Sequence, residues 1–175
     1  MKFWYDTEFI EDGRTIDLIS IGIVAENGDS YYAISTEFKA RKASQWVKDN
    51  VLIHLPERNV NLSDSSISPR IKEESLAWKP RRQIADEVRQ FVLSFPPKPE
   101  FWGYYADYDH VVLCQLFGTM MDLPKGFPMY TRDIKQLCDE LGNPQLPEQG
   151  KGEHHALADA KWNKQAHDFL MSLRS

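Results

Sequence analysis

The sequence predicts an α/β domain, with a mixed sheet covered by helices, and three observations carry that prediction. Short β-branched and aromatic segments crowd into residues 3–34. The dipeptide Asn27-Gly28 stands between two of them and favours a reversing hairpin with positive φ. After Pro80 the apolar residues recur at steps of three and four, in stretches interrupted by short strand-like runs. Strands that first pair antiparallel and then alternate with helices make a mixed sheet.

Taken in order, Phe3–Tyr5 reads as a first strand and Ile16–Ala25 as a second, rich in isoleucine. Tyr31–Ile34 is the third, so the first three form a meander. Ser44–Val51 reads as a short helix. Residues 56–80 are polar, mixed in sign and poorly periodic, and read as a surface excursion. From Pro80, Ile84, Val88, Phe91 and Val92 mark a helix that Pro96-Pro97 stops. Glu100–Tyr104 reads as the fourth strand, Val111–Phe117 as a helix and Phe127–Thr131 as a short fifth strand. A helix on Ile134, Leu137, Cys138 and Leu141 ends at Gly142 and Pro144. After the loop 142–152, His155–Leu173 forms a long helix with Trp162, Ala166, Phe169 and Leu170 on one side.

The 175 residues suit one domain, 1–175, and a hydrophobic content of 42% with 27% charged residues is that of a globular chain in water. No apolar run approaches the roughly 20 residues that span a bilayer, and no secretory signal follows Lys2, so the cytoplasm is the expected compartment and no membrane partner is expected. Cys114 and Cys138 match no zinc spacing and read as core thiols. A net charge of −5 disfavours a protein that coats long nucleic acid through a global positive field, but leaves room for one that grips a strand end.

Chemistry concentrates in a few places. Asp6 and Glu8, at the end of the first strand, are two residues apart and so share a face. Two carboxylates that close repel unless a hard cation such as Mg²⁺ or Mn²⁺ sits with them. Near the other end, His154 and Asp159 would lie about 140° apart on one continuous helix, so His154 must act from the loop or first turn while Asp159 faces inward. A neutral imidazole there is suited to take a proton from water. Between these ends, Asp107 and Asp109 are about 200° apart on a helix; Asp107 fits its cap and Asp109 its inward face. His110 and His155 point away from their reactive neighbours by about 100° and are read as non-catalytic.

In their order along the chain, Asp6-Thr7-Glu8, Tyr108-Asp109 and His154-His155-Ala156-Leu157-Ala158-Asp159 resemble the D-x-E, aromatic-Asp and H-x-A-x-x-D motifs of the DEDDh 3′-to-5′ exonucleases. The match spans residues 3 to about 165, and the opening is most similar to small single-domain exoribonucleases related to ribonuclease T and oligoribonuclease. Ala106 departs from the Asn that many relatives carry three residues before the second-motif Asp.

The resemblance implies a ribonuclease H-like fold with a five-stranded mixed sheet. It implies that Asp6, Glu8, Asp109 and Asp159 gather around two Mg²⁺ ions, replaceable by Mn²⁺, with Asp6 bridging them and His154 as general base. The implied activity is release of nucleoside 5′-monophosphates from RNA 3′ ends, on single strands or overhangs, by a homodimer. A DNA trimming or proofreading exonuclease is the alternative within the same chemistry, and a silent nucleotide-binding module the alternative outside it. Thr7, Phe9 and Tyr108 are the expected substrate contacts, Phe9 by stacking on a terminal base. Two basic clusters, Lys39-Ala40-Arg41-Lys42 and Lys79-Pro80-Arg81-Arg82, are candidates for the phosphates further along.

Overall fold

The computed structural model describes residues 1–96, 98–150 and 152–174, so the expected helix stop at Pro97 falls outside the described residues. Strands β1 (Lys2–Glu11), β2 (Ile16–Ala25) and β3 (Ser30–Ser35) form the antiparallel meander. At its hairpin, Gly28 takes φ +95°, which only a residue without a Cβ adopts at no cost, and the Ala25 and Gly28 amides close the turn. Helices α1 (Gln45–Asn50) and α2 (Pro69–Ser75) follow, then β4 (Trp78–Lys79) and α3 (Arg81–Leu93). Next come β5 (Glu100–Gly103), α4 (Asp107–Gln115), β6 (Arg132–Asp133), α5 (Ile134–Glu140) and α6 (Ala156–Leu173).

Among the described residues the sheet has six strands in the order β4-β3-β2-β1-β5-β6, with β4, β5 and β6 pairing parallel to their neighbours. The expected architecture holds, and its edges differ from expectation. The surface excursion contributes both α2, started by Ser68 and Pro69, and the two-residue edge strand β4. Such a strand is too short to show a period in sequence. The fifth strand expected at Phe127–Thr131 lies instead at Arg132–Asp133. Phe127 is buried as a core anchor, in ring contact with Phe101 and Phe117, so its apolar character reflects packing rather than strand pairing.

Alternation along β1 divides the molecule into two layers. Phe3 and Tyr5 point into a core shared with α3 and α4, where Ile84, Val88, Val92, Val112 and Leu113 are buried. Trp4 points to the opposite face, against Ile134, Leu137 and Cys138 of α5 and Ala166 and Leu170 of α6. Asp6 and Glu8 are therefore on the α6 face. A third cluster, Ile10, Ile19, Ala43 and Val51, seats α1 against the far end of β1.

The buried line of α6 differs from the one expected. Trp162 and Phe169 lie half-buried on its flanks, while Asp159, Asn163 and His167 join Ala166 and Leu170 inside. Asn163 Nδ2 donates to the Tyr5 carbonyl at 2.9 Å, which ties α6 to β1 one residue before Asp6. Replacing it with leucine strands that buried carbonyl. Asn163→Leu is expected to lower unfolding free energy by about 1–3 kcal/mol, read from urea titration.

Candidate active site

Glu8, His154 and Asp159 present ligand atoms that all lie within 4.8 Å of one another. Three elements bring them together. A register shift between Glu8 and Phe9, with Ile19 the extra residue on β2, interrupts the β1–β2 ladder just past the acids, as bulges often do beside reactive sites. Helix α6 begins over β2, so close that a Cβ on Gly22 would meet the Ala156 and Leu157 backbone at 2.4 Å. Gly22 is the β2 partner of Asp6, which places the start of α6 beside that acid.

His154 precedes α6 with φ +66°, outside the helix, and His155 is the N-cap. The His154 amide donates to Asp159 Oδ2 at 3.0 Å, and Gln149 Nε2 donates to Oδ1 at 2.5 Å. Both Asp159 oxygens are thus oriented from the loop ahead of the helix. That loop is itself held by Trp162 Nε1, which donates to the Pro147 carbonyl at 3.0 Å. Gln149 had no signal in sequence beyond its polarity, because the bond depends on how the loop folds back.

Asp109 reaches the cluster by a different route. Strand β5 pairs with β1 only at Lys2–Trp4, leaving the edge of β1 open beyond it. Asp109, buried on α4, fills that edge: its Oδ1 accepts the Thr7 amide at 2.8 Å and the Thr7 hydroxyl at 2.6 Å. Thr7, expected to touch substrate, is 5% exposed and has both donors on Asp109; it holds an acid in place rather than facing a ligand. Asp107 is also corrected, since Ala106 is the cap of α4 and Asp107 is an exposed first-turn residue. Asp133 caps α5 by accepting the Gln136 amide at 3.1 Å, and also accepts the Ala106 amide at 2.8 Å just ahead of α4.

The carboxylates are held in strong mutual tension. Burial, then Asp109, Glu8 and Asp159, push the Asp6 carboxyl well above its ordinary range. Burial, then Asp159 and Asp109, raise Glu8 to about 8. Burial lifts Asp109 to about 6 against the pull of the Thr7 bonds, and lifts Asp159 against those of Gln149 and His154. Oxygen donors that repel one another inside a fold suit a hard divalent cation, so this donor set fits such an ion.

Protonation then favours the metal-free fold and opposes the metal. A carboxyl whose folded pKa is raised, Glu8 from 4.5 to about 8, stabilises the fold fully below the lower value and loses that contribution as pH rises through the upper one. In chelator, the melting temperature is expected to be higher near pH 5.5 than near pH 8. Mn²⁺ should raise it more at pH 8, where the acids are ionised, than at pH 5.5; equal Mn²⁺ shifts in differential scanning calorimetry would contradict this.

At the rim, the Phe9 and Tyr108 rings meet edge to face at 5.8 Å. Phe9 is half-buried against the core and Tyr108 is 49% exposed. Of the basic clusters, Lys79 pairs with Glu87 and Arg81 with Asp17, so the second is largely structural. His110 lies against Cys114 Sγ at 3.7 Å and His155 stacks on Tyr32 at 4.5 Å.

A family model described as the 3′-5′ exoribonuclease Rv2179c-like domain matches residues 1–171. The chain belongs to that family. The Rv2179c-like chain is 42% identical over 162 residues to "3′-5′ exoribonuclease Rv2179c" of Mycobacterium tuberculosis strain H37Rv, covering 92% of this chain and 88% of that one. The same values hold for "3′-5′ exoribonuclease MT2234.1" of strain CDC 1551. Two solved structures share the fold. S. pombe Pop2p, in a Mg²⁺- and Mn²⁺-bound form, aligns with TM-score 0.52 and 13% identity over 97% of this chain and 81% of its own. The zinc-bound E. coli ExoI–ssDNA complex aligns with TM-score 0.52 and 14% identity over 98% of this chain and 42% of its own. The Rv2179c-like fold is thus ribonuclease H-like, with one more strand than expected.

Proposed function

We propose that this chain is a metal-dependent 3′-to-5′ exoribonuclease that releases nucleoside 5′-monophosphates from the 3′ ends of RNA. The observation that carries the reading is the meeting of Glu8, His154 and Asp159 beside Asp6 and Asp109, in a chain of the Rv2179c-like family. Asp6, Glu8, Asp109 and Asp159 would hold the cations, with Mg²⁺ as the physiological ion and Mn²⁺ as its substitute. Two such ions stabilise the charge that builds on the attacking and leaving oxygens of a displacement at phosphorus.

The chain's own residues do the rest. Thr7 fixes Asp109, and Gln149 with the His154 amide fixes Asp159, so the oxygens are oriented before substrate arrives. The imidazole of His154, clear of the helix on its left-handed backbone, takes the proton from the attacking water. Phe9 and Tyr108 offer ring surface to the terminal bases. The free thiols Cys114 and Cys138 suit a reducing compartment, the cytoplasm, and no helix among the described residues is long and apolar enough to cross a membrane. The family resemblance supports a homodimer, which sedimentation equilibrium tests.

With 5′-labelled RNA and Mg²⁺, the expected product is a ladder shortening from the 3′ end. Internal cleavage instead would sink the proposal, and equal rates on a matched DNA would move the substrate class to DNA ends. Mn²⁺ binding with no hydrolysis at all would leave a silent nucleotide-binding module.

A further inference from the structure

Trp46 is a large apolar side chain left 54% exposed on a six-residue helix that is otherwise well anchored. Ser44 caps α1 by accepting the Val47 amide at 3.2 Å, and Asn50 Nδ2 donates to the Trp46 carbonyl at 2.8 Å. Val47 and Val51 belong to the cluster that holds Ile10 of β1, two residues beyond Glu8, and Ile19 of β2. The indole is therefore carried on a capped helix that packs into the cluster at the far end of the strand that bears the first two acids. Its ring meets the His154 imidazole at 4.8 Å between centroids, with the planes at 77°.

His154 needs such a contact. Its amide is tied to Asp159 and its backbone is set at φ +66°, but no hydrogen bond to its ring nitrogens is present among the described residues. Rotation about its side-chain bonds would swing the reacting nitrogen by more than an ångström. A misplacement of that size costs on the order of a hundredfold in rate. A hydrogen-bonding partner would hold the ring at the expense of a nitrogen; an aromatic edge holds it and leaves both nitrogens for chemistry.

We infer that Trp46 is a positioning residue of the hydrolysis: it sets the orientation of the His154 imidazole through ring contact, from its place on α1. The inference rests on the reading of His154 as general base. It also gives an exposed tryptophan on a short surface helix a reason to be there that packing does not supply.

The experiment is a double-variant cycle on a 5′-labelled oligoribonucleotide with Mn²⁺, comparing Trp46→Ala, Trp46→Phe, His154→Gln and the Trp46→Ala/His154→Gln pair. Trp46→Ala is expected to lower kcat by about 10- to 100-fold with KM within about twofold, and Trp46→Phe to keep most of kcat. In the His154→Gln background, Trp46→Ala should cause no further loss. The same fold-loss in both backgrounds, or a loss in KM alone, overturns the inference in favour of direct substrate contact. Loss of the Mn²⁺-dependent melting shift in Trp46→Ala overturns it in favour of a structural role. His154→Gln as fast as the wild type removes the general base and this role with it, whereas a slow His154→Gln with an unimpaired Trp46→Ala removes this role only.

Discussion

Asp6→Asn is expected to abolish 3′-end trimming while making the metal-free chain more stable. The Asp6 carboxyl is lifted by burial and by the charges of Asp109, Glu8 and Asp159 together. The amide keeps its shape and removes its charge, so the repulsion on its three neighbours falls with it. In chelator at pH 8 the melting temperature should rise by a few degrees, the shift that about 1 kcal/mol produces in a chain of this size. Activity should fall at least about a thousandfold, because the site loses a donor whose charge is coupled to those of the other three acids. Mn²⁺ should then raise the melting temperature far less than it does in the wild type. An Asp6→Asn chain that is destabilised in chelator, or that still trims RNA, contradicts the electrostatic account of the site. A stability gain paired with loss of function is the mark of a residue kept for chemistry rather than for folding.

Gly22→Ala is expected to damage both the fold and the site. Its added Cβ would sit 2.4 Å from the backbone carbonyl of Ala156 and from the Leu157 Cα, and those atoms belong to the first turn of α6 rather than to a side chain that can rotate away. Overpacking of this kind costs about 1–3 kcal/mol where side chains yield, and more where backbone must move. A loss of about 3 kcal/mol or more in urea unfolding is the expected result. The displaced turn carries Asp159 four residues after its N-cap His155, with the His154 amide bonded to that acid. Activity should therefore drop further than the unfolded fraction explains, and Mn²⁺ affinity with it. If stability falls but activity per folded molecule is unchanged, the start of α6 has tolerance that the 2.4 Å approach does not suggest. Gly22 had no signal in sequence, where it reads as one small residue in an isoleucine-rich strand. Only its tertiary neighbour makes it irreplaceable.

Much of the architecture was legible because it rests on local signals. The alternation of side chains between the two layers along β1, the Asn27-Gly28 turn and the spacing of Ile84, Val88 and Val92 on α3 are periodic or conformational features, and each fell where expected. The misses share a cause. Trp78–Lys79 and Arg132–Asp133 are two-residue edge strands, which exist because a neighbouring strand accepts them and carry no period of their own. Phe127 looked like strand because large apolar residues serve equally as loop anchors, and its ring contacts with Phe101 and Phe117 made it one.

The candidate site divides in the same way. Asp6 and Glu8 were readable from strand alternation, and the need for His154 to lie outside the helix followed from helical geometry. The structure gives His154 the left-handed backbone that this requires. Thr7, Asn163 and Trp46 were not assigned their parts, because each acts through a residue far away in the chain, and Gln149 was missed because its bond to Asp159 depends on how the loop folds back. The Thr7–Asp109 bond spans 102 positions and the Asn163–Tyr5 bond 158, and no spacing rule connects residues at such separations.

By itself, then, the order of residues determined which candidate groups the chain offers: four acids and an imidazole, on elements whose local geometry presents them. The tertiary structure alone decided what holds that chemistry in place, since hydrogen bonds and ring contacts are set by distance in space. Repulsion among buried carboxylates is a property of their convergence, not of any one of them, and it arises only once β1, α4 and α6 are packed together.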